Sequence, residues 1–315
     1  MRYLVTGGAG FIGSHIVEKL LNEGHFVRVL DDFSTGKLDN LMFIKKPHEA
    51  KYECVYGDIR NKETCDRVCK NIDYVLFQSA LKSVSESMKN PIEYNNVNIN
   101  GLVNMLQASV DNKIKRFIFA SSSSVYGDTD NKLQKEHDHL KPLFPLSPYA
   151  LTKLTGEHYC LIFSRFFDLQ TICLRYFNVY GSRQSLDDEY SVVIPKFIRC
   201  IKDNLSCPIF GNGKQTRDFI HVHDVVSANL LACHAPVIHH AVFNVGTGKN
   251  ISILELVKTL NKIMNKNNQP IFHKEREGDI FTSCADISKI QHSLNFKPII
   301  KFDKGLEEAI GYYVR

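Results

Sequence analysis

Runs of like charge are missing from this 315-residue chain: nowhere do five acids or five bases follow one another, and no basic stripe is interleaved with aromatics. Nucleic acid is therefore not an expected partner, and the net charge of +5 is enough only to help an anionic small molecule approach. No apolar run reaches membrane-spanning length, so no membrane partner is expected either. A signal peptide is not read at the start, because residues 3–5 (Tyr-Leu-Val) already form strand and lead into a glycine loop; a cytoplasmic protein is the expectation. Internal repeats and low-complexity segments are lacking. The nine cysteines are odd in number and scattered among apolar neighbours, which suits reduced, buried thiols rather than a disulfide framework. Cys65 and Cys69 have no second pair at metal-ligand spacing. His221 and His223, two apart in an extended segment, resemble half a metal site without further ligands nearby in sequence, so no metal is expected.

What the chain does contain begins with ordinary globular composition, 43% hydrophobic and 23% charged, over a length sufficient for one large or two medium domains. Residues 2–6 read as a short buried strand and are followed by Gly7-Gly8-Ala9-Gly10-Phe11-Ile12-Gly13, then by helical apolar spacing over 14–22. Glycines at 7, 10 and 13 let the backbone turn tightly, approach a pyrophosphate and pack helix against sheet while the helix amides face the anion. A second strand, 26–30, ends at Asp31, where a carboxylate accepts hydrogen bonds from ribose hydroxyls and repels a 2′-phosphate; NAD is favoured over NADP. The alternative reading of Asp31 and Asp32, that they merely begin a turn, leaves the spacing and the glycines unexplained.

Further strands are expected at 51–56, 74–77, 116–120 and 169–175, alternating with helices near 62–70, 91–110 and 148–167. This alternation predicts a Rossmann-type, doubly wound parallel α/β sheet. Beyond residue 180 the pattern loosens: helices near 193–202, 222–235 and 251–265 suggest a smaller mixed α/β domain, while a strand at 241–245 is able to return to the main sheet. The expected division is 1–177 for the nucleotide-binding domain and 178–315 for the substrate domain.

Within this frame one pair stands out. Tyr149 and Lys153 are four apart on a helix that Pro148 helps to start, so both project from one face. A fixed ammonium beside a phenol favours the phenolate, drawing its pKa down from about 10 so that it serves as a general base near neutrality. A serine from 122–124, at the end of the preceding strand, is placed to hold or pass the proton.

Taken together, TGGAGFIG at 6–13, Asp31, GDIR at 57–60, SSSSVYG at 121–127, SPYALTK at 147–153, LRYFNVYG at 174–181, GKQTRDFIHV at 213–222 and REGD at 276–279 resemble the extended short-chain dehydrogenase/reductase superfamily. Within it the likeness is to nucleotide-sugar 4-epimerases, particularly those acting on UDP-N-acetylglucosamine, through residues 78–84, 121–127, 180–184 and 193–196. The resemblance implies a tightly held, recycled NAD contacted by Gly7, Gly10, Phe11, Ile12, Gly13, Asp31, Asp58, Ile59, Ala80, Lys82, Asn98, Tyr149, Lys153 and Tyr176. It implies Ser122, Tyr149 and Lys153 as the catalytic set: Tyr149 takes the proton of the sugar 4-hydroxyl, Lys153 holds the nicotinamide ribose and Ser122 bonds the 4-oxygen. Ser83, Ser122, Ser123 and Val193 would lie along the sugar pocket, Arg217 and Arg276 on the diphosphate with Asn178 as a neutral donor, and Asp279 on the uridine ribose. A surface ion pair with Asp218 is the rival role for Arg217. A homodimer built on the 91–110 and 148–167 helices is also implied.

Substrate choice is read from Ser283, from two departures and from one absence. Ser283 stands where hexose-restricted relatives carry tyrosine, which implies room for a 2-acetamido group and so acceptance of UDP-GlcNAc/UDP-GalNAc beside UDP-Glc/UDP-Gal. Lys82 instead resembles the hexose enzymes, and Phe77, where histidine is frequent, is read as packing. No carboxylate occupies 122–124, unlike the related dehydratases and decarboxylases, which favours an enzyme that only moves a hydride out and back. A UDP-glucuronate 4-epimerase is the runner-up, followed by a dehydratase or decarboxylase relative and a non-catalytic NAD-binding protein.

Overall fold

Strands that are apolar on both faces belong in a sheet covered on both sides. The computed structural model, which describes all residues except 46–47, 129–132, 137–142, 186–192, 276–280 and 315, places six strands in chain order, all but the half-exposed edge strand β3 largely buried: β1 (Arg2–Thr6), β2 (Phe26–Asp31), β3 (Tyr52–Tyr56), β4 (Tyr74–Phe77), β5 (Arg116–Ser122) and β6 (Thr171–Tyr176). A seventh, His240–Val245, returns beside β6 as expected. All pair in parallel, in the order His240–Val245, β6, β5, β4, β1, β2, β3. Alternate side chains feed opposite layers: Tyr3 and Val5 join the core containing Ile16, Leu20 and Val225, whereas Leu4 joins Leu102, Met105 and Phe163 on the other face. Phe77 is buried against Phe117 and Phe119, the packing role expected of it. The order of strands reverses between β1 and β4, and a crevice opens at their carboxyl ends.

A third core lies apart from the sheet, built from Ile194, Phe197, Ile198, Ile209, Leu256, Leu260 and Leu306. Short pairings bring its strands together: Phe219–His221 runs parallel to Asn178–Tyr180, and Thr216–Arg217 lies between Ile251–Ser252 and Thr282–Ser283. Three helices were not legible in the sequence: Val84–Lys89, Ser288–Leu294 and Phe302–Tyr313. The last buries only a narrow stripe, Gly305, Leu306 and Ala309, and a glycine in mid-helix hides the pattern. Gly305 is needed there because a Cβ would stand 2.3 Å from the Tyr180 hydroxyl. The helix expected at 91–110 is interrupted by a π turn, Asn96–Asn100, between Pro91–Asn95 and Gly101–Asp111.

The helix Pro148–Phe167 positions the chemistry. Ser147 caps it, accepting from Ala150 N–H at 3.1 Å, Pro148 occupies its first turn, and Asp168 ends it in left-handed conformation. Its buried face carries Ala150, Lys153, Gly156, Glu157 and Cys160 at helical spacing. A Cβ on Gly156 would lie 2.5 Å from the Phe119 ring, so glycine sets how closely this helix approaches β5. Glu157 fixes its register by accepting from Ser121 Oγ at 2.6 Å on β5 and by pairing with Arg175 on β6, at 2.8 and 2.7 Å, with both charges buried. Removing one partner strands the other charge. Glu157→Ala is expected to destabilise the fold by about 3–5 kcal/mol, measured by urea denaturation, whereas joint Glu157→Gln and Arg175→Met substitution should lose much less; an equal loss in both would contradict the role given to the pair.

Candidate active site

One cavity of about 590 Å³ runs along the carboxyl edge of the sheet. Its floor is the glycine turn. Gly7 takes positive φ and donates its N–H to Leu30 O at 2.8 Å, and a Cβ on Gly13 would stand 2.1 Å from Gly7 O. Helix Phe11–Asn22 is thereby seated against the turn, with Gly10, Phe11, Ile12 and Gly13 in the wall. These are the conditions a pyrophosphate needs.

Asp31 closes β2 and lines the same cavity. Its Oδ2 accepts from Ala9 N–H at 2.9 Å and its Oδ1 from Phe33 N–H at 2.8 Å; burial raises its pKa while these bonds resist the rise. Each oxygen retains a further acceptor site for a ribose hydroxyl. Asp58 and Ile59 are also in the wall, but the Asp58 carboxylate is gripped by Arg60, with Nε at 2.8 Å and Nη2 at 2.6 Å, which holds its pKa below the usual range. Ala80 and Lys82 line the next stretch. Asn98 does not reach the cavity: its side chain accepts from Leu81 N–H at 2.8 Å and donates to Leu81 O and Thr152 Oγ1, both at 3.0 Å. It braces the wall from behind.

At the centre, Tyr149 and Lys153 enter the cavity beside Ala120 and Ser121. Lys153 is only 4% exposed; its ammonium donates to Ala120 O at 2.8 Å and lies 5.9 Å from the Tyr149 ring centre. Desolvation pushes its pKa down to about 8. Ser122 ends β5 and is half-buried; its Oγ accepts from Ser124 N–H at 3.1 Å and meets Ser124 Oγ at 2.9 Å. Ser123 begins the 3₁₀ turn Ser123–Tyr126. Tyr176, from the end of β6, lines the cavity with its hydroxyl held by Asn229 and Gln78.

The substrate-side residues divide. Arg217 and Ser283 are register partners on adjacent short strands, so two residues far apart in sequence are brought together. Asp218 is buried, its carboxylate accepting from Thr247 N–H and Oγ1, Gly248 N–H and Ala285 N–H at 2.6–3.1 Å. Asn178 donates to Asp218 O from its backbone at 3.0 Å. Ser283 is 5% exposed, and its hydroxyl donates to Gln134 Oε1 at 3.4 Å. Ser83 is outside the cavity wall, its hydroxyl capping helix Val84–Lys89 by accepting from Glu86 N–H at 3.2 Å. Val193 starts helix Val193–Lys202 and packs on the third core. Arg276 and Asp279 lie outside the described residues.

A glycine-turn nucleotide cradle, an acid at the tip of β2 and a helix-borne Tyr149–Lys153 pair thus share one cavity. The chain belongs to the NAD dependent epimerase/dehydratase family. The family model matches residues 3–246. A putative UDP-glucose 4-epimerase of Methanocaldococcus jannaschii is 38% identical over 98% of this chain and 97% of its own length. Among solved structures, the UDP-N-acetylglucosamine 4-epimerase of Methanobrevibacter ruminantium, in complex with UDP-N-acetylmuramic acid, superposes with a TM-score of 0.93 at 37% identity, covering 99% of this chain and 98% of the other. The UDP-glucose 4-epimerase of Thermus thermophilus, complexed with NAD, gives a TM-score of 0.88 at 31% identity, covering 100% and 99%. NAD is the cofactor, and the cradle and Asp31 fit it.

Arg60, Arg183 and Gln184 line the cavity from motif segments without having been singled out as site residues, and Ser185, Tyr312 and Tyr313 in the same wall carried no sequence signal. Asn229, which holds the Tyr176 hydroxyl, was visible only as a polar residue inside an apolar helical run. Lys153 yields a test of the site's electrostatics. A lysine lowered to about 8 by burial binds fewer protons folded than unfolded between that pH and its ordinary value near 10.5, so its unfavourable contribution is complete below pH 8 and fades as pH rises. Lys153→Met is therefore expected to raise the melting temperature of NAD-free protein at pH 7, with the gap narrowing by pH 9.5; a variant less stable at pH 7 would contradict this.

Proposed function

We propose that this chain is an NAD-dependent 4-epimerase of UDP-sugars that interconverts UDP-GlcNAc with UDP-GalNAc and UDP-Glc with UDP-Gal. The observation that carries the reading is the entry of Tyr149 and the buried Lys153 ammonium into the cavity that the glycine turn floors, below a serine stretch bearing hydroxyls and no acid. Bound NAD supplies the site where the C4 hydride is held and from which it returns. Tyr149 Oη takes the proton of the 4-hydroxyl and later gives one back. Lys153 stabilises the tyrosinate by its charge, and Ser122 Oγ holds the 4-oxygen. The sugar must present both faces in turn, so its diphosphate has to stay anchored, the role given to Arg217 with Asn178 beside it. The UDP-N-acetylglucosamine 4-epimerase likeness supports the acetamido substrates, and Ser283 with Gln134 would border that group.

The same proposal includes a homodimer. Leu151, Ile162 and Phe166 form an exposed apolar stripe along Pro148–Phe167, beside Met88 and Ile92 on the neighbouring helices. Such a stripe on adjacent helices suits a second copy of the same surface. Sedimentation equilibrium at micromolar protein should give a dimer, and a monomer would remove this part. Among the described residues no helix is long and apolar enough to cross a membrane.

Proton NMR of the protein incubated separately with UDP-GlcNAc, UDP-Glc and UDP-glucuronate tests the reading. Anomeric signals of UDP-GalNAc and UDP-Gal are expected, with Tyr149→Phe lowering the rate about 10²–10⁴-fold while NAD binding persists. Turnover of UDP-Glc alone would withdraw the acetamido substrates, and turnover of UDP-glucuronate alone would replace the reading.

A further inference from the structure

His221 and His223 lack nearby ligands in sequence, but the fold supplies a third donor from the end of the chain. His221 closes the strand Phe219–His221 and caps helix Val222–His234, and Glu308 projects from the carboxyl-terminal helix Phe302–Tyr313. Glu308 Oε2 lies 3.7 Å from His221 Nε2 and 3.8 Å from His223 Nδ1. All three donor atoms fall within 4.8 Å of one another. His221 is 1% exposed, and its Nε2 is buried with no hydrogen-bond partner, since 3.7 Å is too long for one. An unsatisfied buried nitrogen is unfavourable and asks for an explanation. His15 does not supply one. Its ring lies 5.5 Å from that of His223, but its nitrogens meet Phe11 O and Ser182 Oγ.

We propose that His221, His223 and Glu308 form a binding site for a divalent transition-metal ion of the zinc class, separate from the cavity that holds Tyr149. Two imidazole nitrogens and one carboxylate oxygen suit Zn²⁺ or Co²⁺ rather than Mg²⁺ or Ca²⁺. With metal–ligand bonds of about 2.0–2.2 Å, tetrahedral ligands stand about 3.4 Å apart. The donors must therefore draw together by about an ångström. Glu308 and His223 have the freedom to do so, with side chains 40% and 49% exposed, while His221 is held rigidly against Tyr180. Binding through Nε2 puts the ring proton of His221 on Nδ1. The bond given up is the cap from His223 N–H, which at 3.4 Å is weak. Water would complete the fourth position.

The ion would join the amino end of Val222–His234 to the carboxyl-terminal helix. That helix carries Tyr313, whose hydroxyl donates to Gly181 O at 3.1 Å and Gln184 O at 2.7 Å, and Gln184 lines the cavity. A metal there steadies the cavity wall without touching the reaction.

Calorimetric titration of tag-free, chelator-treated protein with Zn²⁺, beside Mg²⁺ and a visible-absorption titration with Co²⁺, tests the site. One Zn²⁺ per chain is expected, with a rise in melting temperature and no response to Mg²⁺. His223→Ala and Glu308→Gln, both at exposed positions, should each weaken binding at least about tenfold and remove the thermal shift. Absence of binding to the unaltered chain would overturn the proposal. So would unchanged affinity in both variants, which would place the ion elsewhere, for instance on the exposed Cys54 thiol.

Discussion

The interaction on which the structure turns is a buried charge: the Lys153 ammonium, almost sealed from water, donating to the carbonyl of Ala120 at the end of β5. Holding a cation in apolar surroundings is unfavourable, and desolvation depresses its pKa accordingly. The fold tolerates it because the next turn of the same helix is anchored by Glu157 to Ser121 and Arg175. Tyr149, Lys153 and Glu157 follow one another at intervals of four, so the proposed base, the cation and the anchor share a face. Chemistry and architecture are thus read from a single helix stripe, with Gly156 allowing its close approach to the sheet.

The nucleotide end was largely legible because its constraints are local. Strand, glycine turn, helix and terminal acid occur within the first 31 residues, and each has a backbone reason to be where it is. The seven parallel strands, including the return at His240–Val245, followed from apolar runs and their alternation with helices. The substrate end was much less legible. Its strands are two or three residues long, too short to show a period, and its carboxyl-terminal helix is disguised by Gly305.

Several side chains named from the sequence are engaged by hydrogen bonds that no spacing reveals. Asn98 looks like a ligand contact, yet a π turn aims its amide at the backbone of Leu81. Ser83 spends its hydroxyl on a helix cap, and Ser283 meets a glutamine 149 positions earlier in the chain. Asp218, adjacent to Arg217, turns to the loop at 247–248 and to Ala285, joining three segments of the substrate side.

In the proposed reaction the site moves a hydride from C4 and returns it, with Tyr149 handling only the proton. A UDP-hexose deuterated at C4, followed by mass spectrometry and NMR in ordinary water, tests this most directly. The epimerised product is expected to keep its deuterium at C4, with none lost to solvent. Loss of the label to water, or a 4-keto-6-deoxy product, would contradict it.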